Sequence, residues 1–263
     1  MTVKFYKYQG TGNDFVMIDN RGYGLIKERI MIEKLCDRRF GIGGDGLIYL
    51  QDKEGYDFEM VYFNSDGNES TMCGNGGRCL IKFAHDLGLV GNRCKFMAID
   101  GEHDGEILPD GRVSLKMKDV EGIENYNNDF VLNTGSPHYV QFANQVGNLK
   151  VVEEAQKIRY NDRFAAEGIN VNFAEKQSAN EIYVRTYERG VEGETLSCGT
   201  GVVASALALA AKSGSLLTDV NVQAPGGNLQ VKFESAGRGF KNIYLIGPAE
   251  MVFEGNVEIN ATV

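Results

Sequence analysis

One short motif occurs twice in this chain of 263 residues, and it restricts the fold more than any other feature of the sequence. Residues 69–76 read ESTMCGNG and residues 194–201 read ETLSCGTG, so both fit the pattern E-[ST]-x-x-C-G-[NT]-G. A strand-like run precedes each copy and a helix-like run follows it. A thiol repeated at one structural address predicts two acid–base groups, Cys73 and Cys198, that are related by a pseudo-two-fold axis.

The repeat extends beyond the cysteines. Thr11-Gly12 and Thr134-Gly135 precede their cysteines at similar distances, as do Arg38 and Arg163. The shared order predicts an α/β protein of two similar halves. The expected N-terminal half covers residues 1–118 and the C-terminal half 119–251, with a polar linker at 118–128. We expect a last strand, at about 252–263, that can return to the first half.

Composition narrows the possible functions. The 43% of hydrophobic residues can bury a core in each half, and the net charge of −9 argues against a nucleic-acid partner. The N-terminus lacks the apolar core of a signal peptide, and the apolar run at 202–211 is too short to span a bilayer. Five cysteines without a CxxC pair indicate a reducing cytoplasm. Cys36, Cys79 and Cys94 are expected to be inert and buried.

Hydrophobic periodicity and turn residues predict the secondary structure. Helices are expected at 27–36, 76–88, 151–157 and 202–212. Strands are expected at 15–18, 47–51, 58–63, 95–99, 106–108, 113–117, 181–187, 220–223, 229–233 and 242–246.

The glycines after each cysteine indicate the chemistry. A glycine-rich turn that opens a helix exposes backbone N–H groups, which can hold a carboxylate. The same helix end favours a thiolate and can lower a cysteine pKa from about 8.5 toward neutral. Two such sites could place one thiolate and one thiol on opposite faces of a single carbon. That arrangement predicts a racemase or epimerase with two acid–base groups, since one removes a proton and the other returns one.

A zinc site and a nucleotide-binding loop are the other interpretations of these residues. A zinc site needs four closely spaced ligands, and Cys73 and Cys79 lie too far apart for the usual spacing. The glycine-rich segment 41–46 lacks GxGxxG spacing and the lysine of a phosphate-binding loop, so a turn is expected there. We therefore predict no metal and no cofactor. A non-enzymatic thiol or metal-binding module remains a separate alternative.

Taken together, the motifs resemble those of the diaminopimelate epimerases, a family of cofactor-independent two-cysteine amino-acid epimerases. The resemblance covers nearly the whole chain. The matching segments are G-T-G-N-D-F at 10–15, F-N-S-D-G-N at 63–68, M-C-G-N-G-G-R at 72–78, G-S-P-H at 135–138, I-N-V at 169–171, Y-E-R-G at 187–190, E-T-L-S-C-G-T-G at 194–201 and P-G-G at 225–227.

The resemblance implies a role for each matching residue. Cys73 and Cys198 would be the catalytic acid–base groups, and His138 and Glu188 a polar pair that supports proton transfer or binds the substrate ammonium. Arg189 would bind the distal carboxylate. The substrate-binding set would comprise Asn13, Asn64, Gly74, Asn75, Ser136, Asn170, Glu188, Arg189, Gly199 and Thr200.

The family also implies a fold and partners. Each half would be a curved, mostly antiparallel sheet around a central helix, with the active site in the cleft between halves. The implied reaction interconverts LL- and meso-2,6-diaminopimelate, for lysine and peptidoglycan precursors. A related cofactor-free racemase or epimerase of another amino acid is the alternative. The substrate is then a small diamino dicarboxylate, with no nucleic acid and no membrane, and a homodimer stays an open possibility.

Two residues depart from the pattern of some family members. Ser136 stands where others have Asn, and Gly46 stands where others have Gln. A serine hydroxyl can replace one amide hydrogen bond but not two. At Gly46 we expect backbone or water in place of the missing side chain. Because both positions belong to the distal end of the substrate, the reaction type is more secure than the substrate.

Overall fold

The computed structural model describes residues 1–25, 27–214 and 217–259. Their contacts divide the chain into two units. Unit 1 comprises Met1–Leu115 together with the chain from Pro248 onward, and unit 2 comprises Lys116–Gly247.

Within its described residues, unit 1 contains one sheet and two helices. Its sheet has the strand order β18-β1-β2-β3-β4-β6-β7-β8, and the short β5 pairs with the end of β4. Only the β2–β3 and β4–β6 pairs, among those described, are parallel. The elements are β1 (Thr2–Gly10), β2 (Asn13–Asp19), α1 (Arg29–Cys36), β3 (Gly46–Gln51), β4 (Phe58–Asn64), β5 (Glu69–Ser70), α2 (Gly74–Asp86), β6 (Arg93–Ala98), β7 (Gly101–Ile107), β8 (Val113–Lys116) and β18 (Glu250–Glu258).

The two helices of unit 1 cover opposite faces of its sheet. Successive side chains of a strand point to opposite faces, so Val16 and Ile18 pack with Ile32 of α1. Phe15, which directly precedes Val16 and therefore points to the other face, faces α2, where it would lie 3.4 Å from a Cβ added at Gly76. Helix α2 is buried along most of its length. Its glycines let the helix backbone approach the sheet closely.

Unit 2 repeats this arrangement. Its strand order is β9-β10-β11-β12-β13-β15-β16-β17, with β14 paired to the end of β13, and its parallel pairs are β11–β12 and β13–β15. Its elements are β9 (Glu124–Tyr126), β10 (Asp129–Asn133), β11 (Pro137–Phe142), α3 (Val151–Arg159), β12 (Asn170–Lys176), β13 (Glu181–Glu188), β14 (Gly193–Thr195), α4 (Gly199–Ser213), β15 (Asp219–Ala224), β16 (Gly227–Ala236) and β17 (Gly239–Gly247).

Element order and pairing are therefore the same in both units. From β2 to β8 and from β11 to β17, each strand has the same neighbour and the same parallel or antiparallel direction. The predicted α/β class with two pseudo-symmetric halves is confirmed.

Strand register shows which residues occupy equivalent positions. Phe15 lies opposite Gly46 in the β2–β3 pair, and His138 lies opposite Asn170 in the β11–β12 pair. His138 is thus the counterpart of Phe15, and Asn170 of Gly46. The same comparison, continued along the strands, pairs Asn172 with Ile48 and Thr186 with Tyr62.

Some predicted boundaries were wrong. Helix α2 begins at Gly74 and α4 at Gly199, directly after the cysteines, whereas the predicted helices began at 76 and 202. Glycine's low helix propensity hid these first turns, which tertiary packing stabilises. The predicted linker 118–128 contains strand β9 (Glu124–Tyr126). Strand β7 is longer than the predicted 106–108, because several of its residues, including Gly101 and Gly105, are atypical of strands. No helix in the described ranges has the length and apolar character needed to cross a membrane.

Candidate active site

Cys73 occupies the N-cap of α2. Its backbone is extended, with φ −92° and ψ 129°, and its carbonyl accepts the first helical hydrogen bond from the N–H of Gly77 at 2.7 Å. The first four N–H groups of a helix have no acceptor within the helix, and those of Gly74 and Asn75 belong to this set. The Cys73 sulfur therefore sits beside donors that suit an anion.

Asn13, at the start of β2, contacts this helix end. Its Oδ1 accepts from the Cys73 thiol at 3.6 Å and from Asn75 Nδ2 at 3.4 Å. Its Nδ2 donates to Asp45 Oδ2 at 2.6 Å. The structure thus brings together three predicted site residues of unit 1, namely Cys73, Asn13 and Asn75.

Cys198 occupies the same position on α4. It is the N-cap, with φ −106° and ψ 112°, and its carbonyl accepts from the N–H of Val202 at 2.8 Å. Its sulfur lies 3.4 Å from the hydroxyl oxygen of Thr200 in the first turn. The backbone carbonyl of Thr200 accepts from the Thr134 hydroxyl at 2.9 Å, which anchors this turn to the segment before β11.

A chain of hydrogen bonds leads from the sheet of unit 2 to Cys198. Asn172 Nδ2 lies 3.1 Å from the carbonyl oxygen of Tyr139, an acceptor, and 3.0 Å from His138 Nδ1. His138 Nδ1 therefore accepts, and the ring proton is on Nε2, which donates to Thr200 Oγ1 at 2.9 Å. The Thr200 hydroxyl then has its own proton to offer to Cys198.

Burial keeps His138 neutral. The side chain has 0% exposure, and this desolvation, together with the nearby positive charge of Arg189, lowers the His138 pKa to about 3, although the Asn172 contact opposes the shift. The imidazole is therefore uncharged at neutral pH, as the hydrogen-bond chain requires.

The equivalent sheet positions in unit 1 are apolar or aromatic. His138, Asn172 and Thr186 of unit 2, whose Thr186 hydroxyl donates to Asn172 Oδ1 at 2.9 Å, form a buried polar set. Their counterparts are Phe15, Ile48 and Tyr62, and the rings of Phe15 and Tyr62 meet edge to face with centroids 6.0 Å apart. The two units thus share the cysteine and differ in the side chains at the equivalent sheet positions.

Four of the residues predicted to bind the substrate lie close together in unit 2, at the ends of β11, β12 and β13. Asn170 Nδ2 donates to Ser136 Oγ at 2.8 Å, and Asn170 Oδ1 accepts from the backbone N–H of Arg189 at 2.8 Å. The exposed Arg189 side chain donates through Nη1 to the carbonyl of Glu167 at 3.0 Å. Glu188 precedes it and accepts from the Thr195 hydroxyl.

Gly46 allows close packing between β3 and β4. A Cβ at this buried position would lie 2.5 Å from the carbonyl oxygen of Phe63 and 2.6 Å from the Tyr62 ring. The backbone carbonyl of Phe63 and the Tyr62 ring together occupy the space that a side chain would take. Asn64, opposite Gly46 at the end of β4, is exposed, and its carbonyl closes a turn by accepting from Gly67 at 2.9 Å.

The other three thiols are buried and unreactive. Desolvation raises the pKa of Cys36, Cys79 and Cys94 to about 12. All five cysteines are free. Within the described ranges, no group of three or more His, Cys, Asp or Glu side chains is placed to hold a metal ion.

Sequence reasoning missed several residues at these sites. Asn172 lies between the apolar Val171 and Phe173, and that contrast is the signal that could have revealed it. Thr186, between Arg185 and Tyr187, carries no such signal. Arg78 belongs to the quoted M-C-G-N-G-G-R segment, and Asp45 to the glycine-rich 41–46 segment, but neither had been given a role.

Comparison with known proteins indicates the family. A sequence model of the family described as "Diaminopimelate epimerase" matches residues 5–122 and 130–252. The chain is 52% identical to a protein of that name from Flavobacterium psychrophilum, over 97% of this chain and 100% of that protein. It is 40% identical to another from Chlorobaculum tepidum, over 95% of this chain and 99% of the relative.

Solved structures with low sequence identity share the fold. A PhzF-family phenazine biosynthesis protein from Bacillus anthracis is 15% identical, with a TM-score of 0.77, over 98% of this chain and 100% of that one. A hydroxyproline epimerase from Agrobacterium vitis is 13% identical, with a TM-score of 0.70, over 97% and 92%.

Proposed function

The chain belongs to the diaminopimelate epimerase family, and we propose that it interconverts LL- and meso-2,6-diaminopimelate by proton transfer at the α-carbon. The observation that carries this proposal is the full-length match combined with a cysteine at the N-cap of a central helix in both units. The proposal places the protein among the cytoplasmic enzymes that make lysine and peptidoglycan precursors. Five free thiols fit a reducing compartment.

Cys73 and Cys198 are the proposed acid–base pair. Inverting a carbon by deprotonation and reprotonation requires a base on one face and an acid on the other. A thiolate removes the α-hydrogen as a proton, and the second cysteine, as a thiol, donates a proton to the opposite face. The roles exchange in the reverse direction, so the enzyme alternates between two protonation states.

The first turns of α2 and α4 are the proposed carboxylate site. Backbone N–H groups of Gly74 and Asn75, and of Gly199 and Thr200, would bind the α-carboxylate of the substrate. Negative charge builds on that carboxylate as the α-proton leaves. Fixed N–H groups and the positive ends of two helix dipoles stabilise this charge without reorganising during the reaction.

His138 and Glu188 are proposed to assist through hydrogen bonds. His138 is neutral and donates to Thr200, so its contribution is to orient the Thr200 hydroxyl proton toward the Cys198 sulfur. A hydroxyl donor of this kind stabilises a thiolate. Glu188, half-buried at the end of β13, is proposed to bind the substrate ammonium.

The distal carboxylate of the substrate is assigned to Arg189. Its guanidinium is exposed, while its backbone is tied to Asn170, and a guanidinium fork matches a carboxylate. Ser136, held by Asn170, supplies a hydroxyl beside it. Asn13 and Asn64 complete the proposed substrate-binding set in unit 1.

Proton NMR of LL-diaminopimelate with the enzyme in D₂O tests the reaction, the substrate and the need for a cofactor together. The sample contains no added pyridoxal phosphate, and the enzyme is dialysed against a chelator. We expect the α-proton signal to disappear and the meso isomer to appear at the same time. The Cys73→Ala/Cys198→Ala double variant is the control. If the spectrum of LL-diaminopimelate stays unchanged and a parallel sample of proline loses its α-proton signal, the chain acts on another amino acid.

A further inference from the structure

A run of hydrogen bonds, each donated in the same direction along the run, passes close to Cys73 in unit 1. It begins at Arg78, whose Nη2 donates to Asn75 Oδ1 at 3.1 Å. Asn75 Nδ2 donates to Asn13 Oδ1 at 3.4 Å. Asn13 Nδ2 donates to Asp45 Oδ2 at 2.6 Å, and Arg38 Nη2 binds the other Asp45 oxygen at 2.7 Å.

The charges at the two ends determine how both asparagines point. A guanidinium has only donors, so Asn75 must present its oxygen to Arg78 and its nitrogen to Asn13. A carboxylate has only acceptors, so Asn13 must present its nitrogen to Asp45 and its oxygen to Asn75. Both ends demand the same arrangement, and either amide in the opposite orientation would set like groups against each other.

Both ends of this run are firmly held. Arg78 has 0% exposure and also donates to the carbonyls of Gly74 and Pro248 and to the Thr11 hydroxyl. Burial lowers its pKa to about 10, which leaves it a cation at neutral pH. At the other end, Arg38 holds Asp45.

The Arg38 end is held in turn by a second carboxylate. Arg38 also binds Asp14 through both terminal nitrogens, and Asp14 pairs with the buried Lys7 at 2.7 Å. Asp14 and Lys7 thus fix the Arg38 fork that fixes Asp45.

We propose that Asp45 is a positioning residue, which orients the Asn13 amide so that a carbonyl oxygen faces the Cys73 sulfur and favours the protonated thiol. An acceptor 3.6 Å from the sulfur receives an S–H proton but repels a thiolate. This inference rests on the proposed function, since it concerns the protonation of a proposed acid–base group. It adds a role for Asp45, with Arg78 at the opposite end of the run.

Some charged groups of unit 1 around Cys73 favour its thiolate and others favour its thiol. On α2, the Arg78 cation favours a Cys73 thiolate, and the Cys79 thiol stays neutral because burial raises its pKa to about 12. Toward β2 and β3, Asp45 and Arg38 reach the sulfur through Asn13. Asp45→Asn and Asp45→Ala remove the same negative charge and leave Arg78 in place, so the difference between these two variants isolates the hydrogen-bond effect.

In unit 2, the groups around the cysteine favour the opposite protonation state. The counterpart of Asn13 is Ser136, and that of Arg78 is Val203, so this run of hydrogen bonds has no equivalent there. Cys198 lies beside the Thr200 hydroxyl, which can donate because His138 already donates to it. One sulfur faces an acceptor and the other a donor. The substrate-free protein is thereby biased toward a Cys73 thiol and a Cys198 thiolate.

The test is the rate at which iodoacetamide alkylates Cys73 in the substrate-free full-length protein at neutral pH, followed by peptide mass spectrometry. In Asp45→Asn, the Arg38 fork still demands an oxygen, so the new amide nitrogen turns toward Asn13. Asn13 then meets a donor in place of an acceptor, so its amide is no longer held with the oxygen toward Cys73. An inverted Asn13 amide gives up the Asn75 hydrogen bond and places a donor beside the sulfur. We expect Cys73 to react roughly two- to tenfold faster, the range of a typical net hydrogen bond. Asp45→Ala, which adds no donor, should show a smaller increase.

The matched control is Asp19→Asn, which also removes a carboxylate bound to an arginine, Arg21, at the other end of β2. It should leave the Cys73 rate unchanged. The buried thiols Cys36 and Cys94 report any loosening of the unit and should stay unreactive. An unchanged Cys73 rate in both Asp45 variants, or a rise that Cys36 shares, overturns the proposal. Alkylation needs no substrate, so this result is independent of the D₂O experiment, whose failure would remove the proposed reaction alone.

Discussion

His138 Nε2 lies 2.9 Å from the hydroxyl oxygen of Thr200. Since Asn172 supplies a donor to the opposite ring nitrogen, the imidazole can act here only as a neutral donor. Burial and the nearby positive charge of Arg189 keep the His138 ring uncharged at neutral pH, so His138 is poorly suited to accept a proton from substrate.

The free energy of unfolding should report this neutral histidine. The His138 pKa is about 3 in the folded protein and about 6.5 in an unfolded chain, so between these values the unfolded chain binds more protons. The contribution of His138 to stability is complete above about pH 6.5 and is lost as the pH falls toward 3. His138→Gln should therefore lose less stability than the wild type between about pH 7 and pH 4, measured by urea denaturation. Parallel curves for the two proteins would contradict the assignment. Carboxylates with lowered pKa values, such as Asp14, are common to both and cancel.

Thr200 should matter through its hydroxyl. Thr200→Val keeps the shape and the backbone N–H groups but removes the donor beside Cys198 and the acceptor for His138. We expect the turnover rate in the D₂O exchange assay to fall by roughly two- to tenfold or more, as for the loss of one or two hydrogen bonds. Thr200→Ser, which keeps the hydroxyl, is the matched variant and should retain most of the activity. Equal losses in both variants would show that packing, not the hydroxyl, is what matters.

The duplicated architecture could be predicted because the repeated positions are glycines and cysteines, residue types that occur in few structural settings. The chemistry behind each cysteine was not. His138 and Phe15 occupy equivalent strand positions, and nothing in local spacing distinguishes a buried imidazole that completes a hydrogen-bond chain from a loop histidine. The register of β11 and β12 brings His138 and Asn172 together, and Thr200 reaches His138 only because α4 packs against this sheet; both depend on contacts between distant segments.

Replacing either proposed acid–base group should abolish epimerisation. Cys73→Ala and Cys198→Ala each remove one of the two groups that inversion requires, so loss of turnover should be complete within detection in the D₂O assay. Cys36→Ala and Cys94→Ala remove buried thiols whose pKa values are near 12, and they should keep activity in the fraction that folds. Full activity in Cys198→Ala would exclude the two-thiol mechanism.

The run from Arg78 to Asp45 shows a second limit of sequence reasoning. Arg38 and Arg163 occupy similar places in the repeat, yet Arg38 binds Asp14 and Asp45, whereas Arg163 binds Glu124. A repeated residue type keeps its position and changes its partner, because ion pairs depend on which carboxylate the neighbouring segment supplies. The residues themselves were visible in the sequence, but their contacts were not.

Gly201 should be needed for the fit between α4 and β12. A Cβ added there would lie 2.3 Å from Asn172 Oδ1, so Gly201→Ala must displace either the helix or Asn172. Overpacking of this kind costs about 1–3 kcal/mol of stability. We expect lower stability in urea and a larger fall in activity, since Asn172 orients His138. Gly147→Ala, with no atom within 4 Å of the added Cβ, is the control and should behave like the wild type.

Arg189 should recognise the distal carboxylate of the substrate. Its backbone is anchored to Asn170, so truncating the side chain leaves the surrounding loop in place. The loss of a charge-assisted hydrogen bond costs about 1.5–3 kcal/mol, or roughly ten- to over a hundredfold in kcat/KM for diaminopimelate. Exchange of the α-proton should remain measurable at high substrate concentration, because the proposed acid–base groups are intact.

Lysine, which has no distal carboxylate, should be a poor substrate of the wild type, and its turnover should fall little further in Arg189→Ala. Arg163→Ala, which breaks an ion pair with Glu124, is the matched control and should leave discrimination between the two substrates unchanged. If Arg189→Ala discriminated against lysine as strongly as the wild type, another residue would have to bind the distal carboxylate, while the two-thiol chemistry would stand.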